Sequence, residues 1–230
     1  MRIAEAPSPN HDARPEATPV DMLILHYTGM RSGAEALARL RDPASRVSCH
    51  YVVEEDGAVH RLVAEERRAW HAGISQWRGH TLLNARSIGI EIVNPGHEWG
   101  YQPFAALQMA AVCDLCLDIL ARHPIPPRNV VGHSDVAPDR KQDPGELFDW
   151  EGLAANGVGL WPRVDRLPAG EPRALLGAIG YRTDLALDVL LRAFQRHWRP
   201  ARVDGAADAE TLARLTAVAA TLDRPLTPAP

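Results

Sequence analysis

Residues Met22–Leu25, with the sequence MLIL, form a short apolar run that ends at His26. Four consecutive apolar residues without polar alternation are typical of a β-strand that is buried on both faces. His26 then lies at the exit of this predicted strand. Ligand sites in open sheets gather at strand ends, so the position of His26 makes it the first candidate for a functional residue.

A second strand is predicted at Ser87–Val93, where isoleucines alternate with other residues. Successive side chains of a strand point to opposite faces, so the isoleucines share one face and Glu91 points to the other. A third strand, Asn129–Val131, leads into His133. Two histidines therefore follow predicted buried strands.

The remaining elements alternate around these strands. Tyr51–Glu55 and Val59–Val63 flank Asp56-Gly57, which is a strong hairpin signal and predicts two antiparallel strands. Apolar periodicity near 3.6 residues predicts five helices. They are Ala34–Arg41, Phe104–Arg122, Arg173–Ile179, Asp184–Trp198 and Asp208–Leu222.

Changes in composition divide the chain into three parts. Residues 1–20 carry four prolines and several polar residues, which predicts a loose leader. Residues 21–162 hold the predicted strands and form the first domain. Residues 163–230 begin with a proline-rich linker and continue as a three-helix module, which is small enough to lean on the first domain.

Bulk properties exclude some functions. A net charge of −4 and a pI near 6.2 leave no basic footprint for a nucleic-acid partner. No window has the length and apolarity of a membrane helix, and residues 1–20 lack the apolar stretch of a secretory signal. Three cysteines, an odd number, fit a reducing compartment better than a disulfide framework. We therefore expect a cytoplasmic protein, with the periplasm as the alternative if a signal peptide has been removed.

Asp143 lies ten residues after His133, in a predicted loop that can fold back toward the imidazole. Two histidines and one carboxylate are a recognised catalytic zinc set that leaves the fourth position open. Spacing alone is a weak signal here, because no local motif such as His-Glu-x-x-His is present. From position and spacing alone, a capping or hydrogen-bonded role is favoured for each histidine.

Six short motifs, in order, resemble the AmpD/AmiD-type N-acetylmuramoyl-L-alanine amidases, which belong to the Amidase_2 and peptidoglycan-recognition-protein-like superfamily. The motifs span about residues 20 to 155. They are Leu25–Thr28 (LHYT), His50–Gly57 (HYVVEEDG), Ala69–Gly73 (AWHAG), Ser87–Glu91 (SIGIE), Gly132–Asp135 (GHSD) and Arg140–Gly145 (RKQDPG).

The resemblance implies an α/β fold with a central mixed β-sheet flanked by helices. It further implies Zn²⁺ as cofactor, with His26, His133 and Asp143 as ligands, Glu91 as the catalytic acid/base and Lys141 as the transition-state cation. The expected reaction is hydrolysis of the amide bond between the muramoyl lactyl group and L-alanine. Peptidoglycan fragments, namely muropeptides and anhydromuropeptides, are the expected partners. The C-terminal helices are similar to the peptidoglycan-binding-like module of some family members.

Lys141 is the single lysine among 25 basic residues, and it falls inside the predicted site. A compact ammonium is a better point charge for a developing oxyanion than the planar guanidinium of arginine. A lone lysine must fall somewhere, so its position supports the assignment without proving it.

Four further residues are predicted substrate contacts. They are Tyr27, His71, Asn84 and Asn94. Structural roles are the alternative for the loop that carries His71 and Asn84, and for His50 on its predicted strand a structural role is favoured. Cys49 departs from related phage amidases, which carry a tyrosine at this place, so Glu91 would act alone.

Two other hypotheses stay open. The chain could be a non-catalytic peptidoglycan recognition module on the same fold, or an unrelated protein with structural zinc. The absence of a ligand residue or of Glu91 would favour the recognition module, but the three expected ligands and Glu91 are all present. A structural zinc would normally have four protein ligands, often thiolates.

Overall fold

The computed structural model describes residues 2–165 and 167–222. The strands are β1 (Ile3–Glu5), β2 (His11–Ala13), β3 (Met22–Tyr27), β4 (Tyr51–Val53), β5 (Val59–Arg61), β6 (Arg67–Ala69), β7 (Ser87–Ile92) and β8 (Val130–Gly132). The α-helices are α1 (Gly33–Arg41), α2 (Gly96–Trp99), α3 (Ala106–Arg122), α4 (His133–Val136), α5 (Trp150–Ala155), α6 (Pro172–Ile179), α7 (Leu187–Trp198) and α8 (Ala209–Leu222). Short 3-10 turns cover Pro43–Ser45, Leu83–Ala85 and Pro127–Asn129.

Six strands form one mixed sheet in the order β1, β5, β4, β7, β3, β8. The four strands β4, β7, β3 and β8 run parallel, whereas β5 pairs antiparallel with β4 across the predicted hairpin. Strands β2 and β6 form a separate antiparallel pair. The predicted α/β class with a central mixed sheet is confirmed.

Different helices pack on the two faces of the sheet. Leu23 and Leu25 of β3 pack with the isoleucines of β7 and with one side of α3, whose apolar residues recur at Val112, Cys116 and Ile119. Met22 and Ile24 point the other way and pack against the C-terminal helices α6 to α8. Helix α3 begins at Ala106, two residues later than predicted.

The N-terminal segment differs from its prediction, because residues 2–20 are not a loose leader. Strand β1 pairs in parallel with β5, and β2 pairs with β6. Asn10 is buried and donates to the carbonyls of Asp42 and Val47, while the Arg14 guanidinium donates to the carbonyls of Ala85 and Ser87. Main-chain pairing of three-residue strands leaves no apolar pattern, so the sequence carries no signal for it.

The C-terminal helices lie close to their predicted positions, and they share a hydrophobic core with the sheet. Leu176 of α6, Phe194 of α7 and Leu215 of α8 belong to the same buried cluster as Met22 and Ile24. The expected leaning of this module on the first domain is confirmed as a shared core. Parts of the predicted third region, Arg166 and residues 223–230, lie outside the described residues. None of the helices in the described ranges combines the length and apolarity that a membrane crossing requires.

Candidate metal centre and cleft

Three parallel strands bring the candidate residues to one edge of the sheet. His26 and Glu91 are register partners near the carboxyl ends of β3 and β7, so both side chains point to the same face. His133 follows β8 directly as the first residue of α4. Asp143 lies in the loop after α4, and its carbonyl accepts a 2.9 Å hydrogen bond from the Ser134 amide. The sheet thus assembles residues that are more than 100 positions apart.

The predicted ligand atoms converge. The Nδ1 atoms of His26 and His133 lie 2.9 Å apart, and each is 3.0 Å from Oδ2 of Asp143. All three residues are buried. Burial and the neighbouring His133 lower the pKa of His26 to about 4, while the two imidazoles overcome the effect of burial and hold the pKa of Asp143 well below its usual range.

The outer nitrogen atoms of the two rings fix which tautomers face the centre. His133 Nε2 lies 3.2 Å from the Ala72 carbonyl, which can only accept, so Nε2 carries the hydrogen. In a neutral ring, Nδ1 of His133 then presents a lone pair to the centre.

A longer chain of hydrogen bonds orients His26 in the same way. Ser87 donates from its hydroxyl to the Leu83 carbonyl at 2.7 Å, so its oxygen accepts from Nε2 of His71 at 3.2 Å. His71 Nδ1 is left to accept from His26 Nε2 at 3.0 Å. His26 Nδ1 therefore also presents a lone pair to the centre.

Two lone pairs and a carboxylate oxygen facing one point repel each other unless a cation lies between them. Nitrogen and oxygen donors from two histidines and one aspartate match a catalytic zinc set with an open fourth position. Hydrogen bonds to the outer ring nitrogens are the usual second layer of such sites. The donor set therefore fits Zn²⁺.

Every second residue of β7 faces the candidate site and contributes to its arrangement. Ser87 bonds to His71, Gly89 leaves room for the His71 ring, and Glu91 is the register partner of His26. A Cβ at position 89 would lie 2.4 Å from the His71 ring. Gly89 and Glu91 share a face as predicted, and the glycine has a steric reason.

Glu91 is the half-buried acid of the site. Its Oε2 is enclosed and has no hydrogen-bond partner among the described residues. Burial raises the pKa of Glu91 well above its usual range, the charge of Asp143 adds to this, and Lys141 partly offsets it. Such a carboxyl group keeps its proton to a higher pH than a solvent-exposed glutamate does.

A cleft of about 650 Å³ opens onto this group. Its wall includes Glu91, Lys141, His133 and Asp143, and the Lys141 ammonium makes no ion pair within the described part of the chain. Its other lining residues are Tyr27, Thr28, Gly29, Met30, Ala36, Arg39, Leu40, Val47, Ser48, Trp70, His71, His97, Glu98, Trp99, Arg140 and Gln142. A separate cavity of about 480 Å³ beside α6 contains none of the predicted site residues.

The four predicted substrate contacts lie in different places relative to the cleft. Tyr27 lies in the cleft wall, whereas His71 touches the cleft but is buried behind His26. Asn84 is outside the cleft, and its side-chain oxygen accepts from the amides of His71 and Ala72. Asn94 is buried and bonds to Gln102 and Gly96. Both asparagines hold loops in place, because buried main-chain groups need partners.

Sequence reasoning missed His97, which lies in the cleft wall. Its Nδ1 is 2.9 Å from the Tyr27 hydroxyl, and its Nε2 is 3.2 Å from both oxygens of Glu146. Only the fold brings these residues together, since 70 positions separate Tyr27 from His97. His50 is buried and accepts from the Gly89 amide, which fits the structural role expected for it.

Known proteins resemble this chain in sequence and in fold. The model of the Amidase_2 family, N-acetylmuramoyl-L-alanine amidase, matches residues 16–146. N-acetylmuramoyl-L-alanine amidase AmiD of Escherichia coli strain K12 is 40% identical, and the match covers 84% of this chain and 80% of AmiD. The 1,6-anhydro-N-acetylmuramyl-L-alanine amidase AmpD of the same strain is 35% identical over 63% of this chain and 86% of AmpD.

Solved structures agree. AmiD in complex with anhydro-N-acetylmuramic acid-L-Ala-D-γ-Glu-L-Lys superposes with a TM-score of 0.79 at 39% identity, covering 90% of this chain and 92% of that one. AmpDh3 of Pseudomonas aeruginosa in complex with anhydromuramic pentapeptide gives 0.80 at 37% identity, covering 86% and 90%. The match to the family model and the similarity to AmiD along most of both chains show that this chain belongs to the N-acetylmuramoyl-L-alanine amidase family of AmpD/AmiD type.

Proposed function

We propose that the protein hydrolyses the amide bond between the lactyl group of N-acetylmuramic or 1,6-anhydro-N-acetylmuramic acid and the L-alanine of a peptidoglycan stem peptide. The observation that carries this proposal is the convergence of His26 with His133 and Asp143, two residues that line a cleft together with Glu91 and Lys141. AmiD and AmpDh3, which share the fold, have been solved with anhydromuramyl peptides.

His26 and His133 would hold zinc through Nδ1, and Asp143 through Oδ2. When bound, zinc supplies Lewis-acid polarisation of the scissile carbonyl and lowers the pKa of water toward neutrality. The remaining chemistry belongs to side chains of the cleft. This donor set argues against a purely structural zinc, for which four protein ligands are usual.

Glu91 is the proposed acid/base. Its carboxylate would take a proton from the attacking water and return it to the departing alanine amine. The raised pKa suits the second step, because a stronger hold on the proton keeps it available until the C–N bond breaks. The unpartnered Oε2 leaves one oxygen free for that proton.

Lys141 is the proposed oxyanion-stabilising cation. Its charge reaches both Glu91 and His26, since it contributes to the pKa of each. A preorganised cation at the cleft wall would stabilise negative charge on the carbonyl oxygen as water adds. An intact set of these groups is the reason to prefer an enzyme over a non-catalytic recognition module.

Anhydromuropeptides are the proposed natural substrates, and cell-wall recycling the proposed role. AmpD is named for the 1,6-anhydro sugar, and the peptides solved with AmiD and AmpDh3 carry it. A cytoplasmic location accompanies this role and is supported by three free cysteines.

The test is to incubate zinc-loaded protein with a defined anhydromuramyl tripeptide and, separately, with intact muropeptides. Products are weighed by mass spectrometry with and without a chelator. We expect chelator-sensitive release of free peptide and the sugar acid, with the anhydro substrate cut faster. The Glu91→Gln variant should keep its zinc and lose about 100- to 10,000-fold in turnover. If the wild-type protein binds these substrates without cleaving them, a non-catalytic recognition module becomes the preferred hypothesis.

A further inference from the structure

The three proposed ligands are not held equally well by the sheet. His26 is on β3, which has a strand on either side. His133 begins α4, a single helical turn, and Asp143 lies in an irregular loop. The Ser134 amide joins these two segments to each other through the Asp143 carbonyl. These two segments have fewer sheet hydrogen bonds than β3, so contacts from other elements contribute more to their position.

Helix α7 of the C-terminal module contacts the first segment. His197 Nδ1 lies 2.7 Å from Oδ2 of Asp135, two residues after His133. The same carboxylate accepts from the Gly132 amide at 2.8 Å and from the Tyr181 hydroxyl. Asp135 and His197 are 1% and 3% exposed, so water does not compete for these bonds.

Aromatic stacking holds the His197 ring in place. Trp150 stacks on the His197 ring at a centroid distance of 3.8 Å, and Trp198 stacks on the same ring at 4.0 Å. Trp150 and Pro144 also press on Gly132, where an added Cβ would lie 3.3 Å and 2.8 Å from them. The packing therefore touches the residue before His133 and the residue after Asp143.

The preceding residue of α7, Arg196, reaches the second segment. Its Nη2 donates to the side-chain oxygen of Gln142 at 3.3 Å, and its Nε lies 3.9 Å from Glu146. Gln142 immediately precedes Asp143 in the loop. Two consecutive residues of α7 thus contact both segments that carry proposed ligands.

We propose that Arg196 and His197 are positioning residues that keep His133 and Asp143 in metal-binding geometry. The C-terminal helices then support the metal site. This inference rests on the proposed zinc site.

The test compares zinc affinities of full-length variants by competition with a chromophoric chelator. His197→Phe keeps an aromatic ring in the stack but cannot donate to Asp135, and Arg196→Met keeps the aliphatic stem without the guanidinium. The matched control is Arg192→Met on the exposed side of α7, where Arg192 donates to the Val203 carbonyl. We expect the variant that carries both His197→Phe and Arg196→Met to bind zinc about tenfold more weakly than wild type. Loss of hydrogen-bond partners behind metal ligands usually has an effect of this size. The control should bind as wild type.

His197→Asn adds a rescue arm, because its amide can donate to Asp135, and it should recover part of the affinity. A folded double variant with a zinc Kd within about twofold of wild type would overturn the inference, even if its metal-free form melts earlier. Should His197→Phe fail to fold, Arg196→Met decides alone by the same criterion. Wild-type protein that binds no zinc would instead refute the proposed function, and this inference with it.

Discussion

Two buried clusters of histidine and aspartate lie side by side in this protein, and they differ in how their polar atoms are satisfied. In the anchor cluster of Asp135, His197 and Tyr181, both carboxylate oxygens accept hydrogen bonds. In the centre formed by His26, His133 and Asp143, one carboxylate oxygen faces two imidazole lone pairs. The anchor cluster is a closed network, whereas the acceptors of the centre converge on one point.

The comparison shows why burial and ion pairing alone do not identify a site. Both clusters are buried and both contain an aspartate within 3.0 Å of a histidine nitrogen. The centre differs because its acceptors converge on one point and because the cleft opens onto it. Convergence of acceptors is the physical mark of a cation site.

Alanine substitution in each cluster should give the largest contrast. His133→Ala removes a ligand, so we expect no stoichiometric zinc and no measurable turnover. Asp135→Ala should lose about 3–5 kcal/mol of stability, because it breaks a buried pair, yet still bind one zinc at saturation. Metal analysis and urea denaturation measure the two effects. Equal zinc content in both variants would contradict the inference that only the centre binds zinc.

Replacement of Lys141 should have the next largest effect. Lys141→Met removes the cation but no ligand, so we expect turnover to fall about 100- to 1,000-fold with zinc content unchanged. Lys141→Arg should restore only part of the rate, because a guanidinium has a different shape and hydration. Steady-state kinetics on an anhydromuramyl tripeptide measure both. Full activity in Lys141→Met would remove this residue from the mechanism.

A smaller effect is expected where the hydrogen-bond chain behind His26 begins. Ser87→Ala removes the oxygen that accepts from His71, which frees the ring to rotate, so zinc should bind about tenfold more weakly. Ser48→Ala is the matched control, since Ser48 is equally buried but bonds to Asn10 and Trp70. Chelator competition gives both constants, and identical values would show that the chain has no influence on His26.

The smallest effect concerns the pH dependence of stability in metal-free protein. The folded state raises the pKa of Glu91, so it binds the proton more tightly than the unfolded state does. Glu91 therefore stabilises the fold below its ordinary pKa of about 4.3, and this contribution is lost as the pH rises through the folded pKa. Glu91→Gln has no such loss, so its stability relative to wild type should increase with pH. Denaturation curves from about pH 4 to pH 8 test this, and a constant difference would contradict it.

Much of the fold could be predicted from local patterns. The run at Met22–Leu25, the isoleucines of β7 and the Asp56-Gly57 turn each carry a signal within a few residues, and the structure confirms those elements. The face of Glu91 followed from alternation alone. The site residues at strand ends followed from topology together with the family resemblance.

The rest depended on contacts that no local pattern encodes. Strands β1 and β2 are three residues long and are formed by main-chain pairing, so residues 2–20 gave no strand signal. Asn84 and Asn94 carry the polar groups expected of ligand contacts but use them on loop amides. His97 and Arg196 reach the cleft region from distant parts of the chain, which only the packed structure reveals.

The pairing of β1 with β5 also bears on how the protein behaves in concentrated solution. β1 covers the main-chain groups of β5, and beyond it the amides of Ala6 and Ser8 bond to the carbonyls of Arg61 and Leu62. An uncovered sheet edge is a template for strands of other molecules. Removal of residues 1–8 would expose that edge, so a chain shortened in this way should self-associate more readily than the chain that retains them.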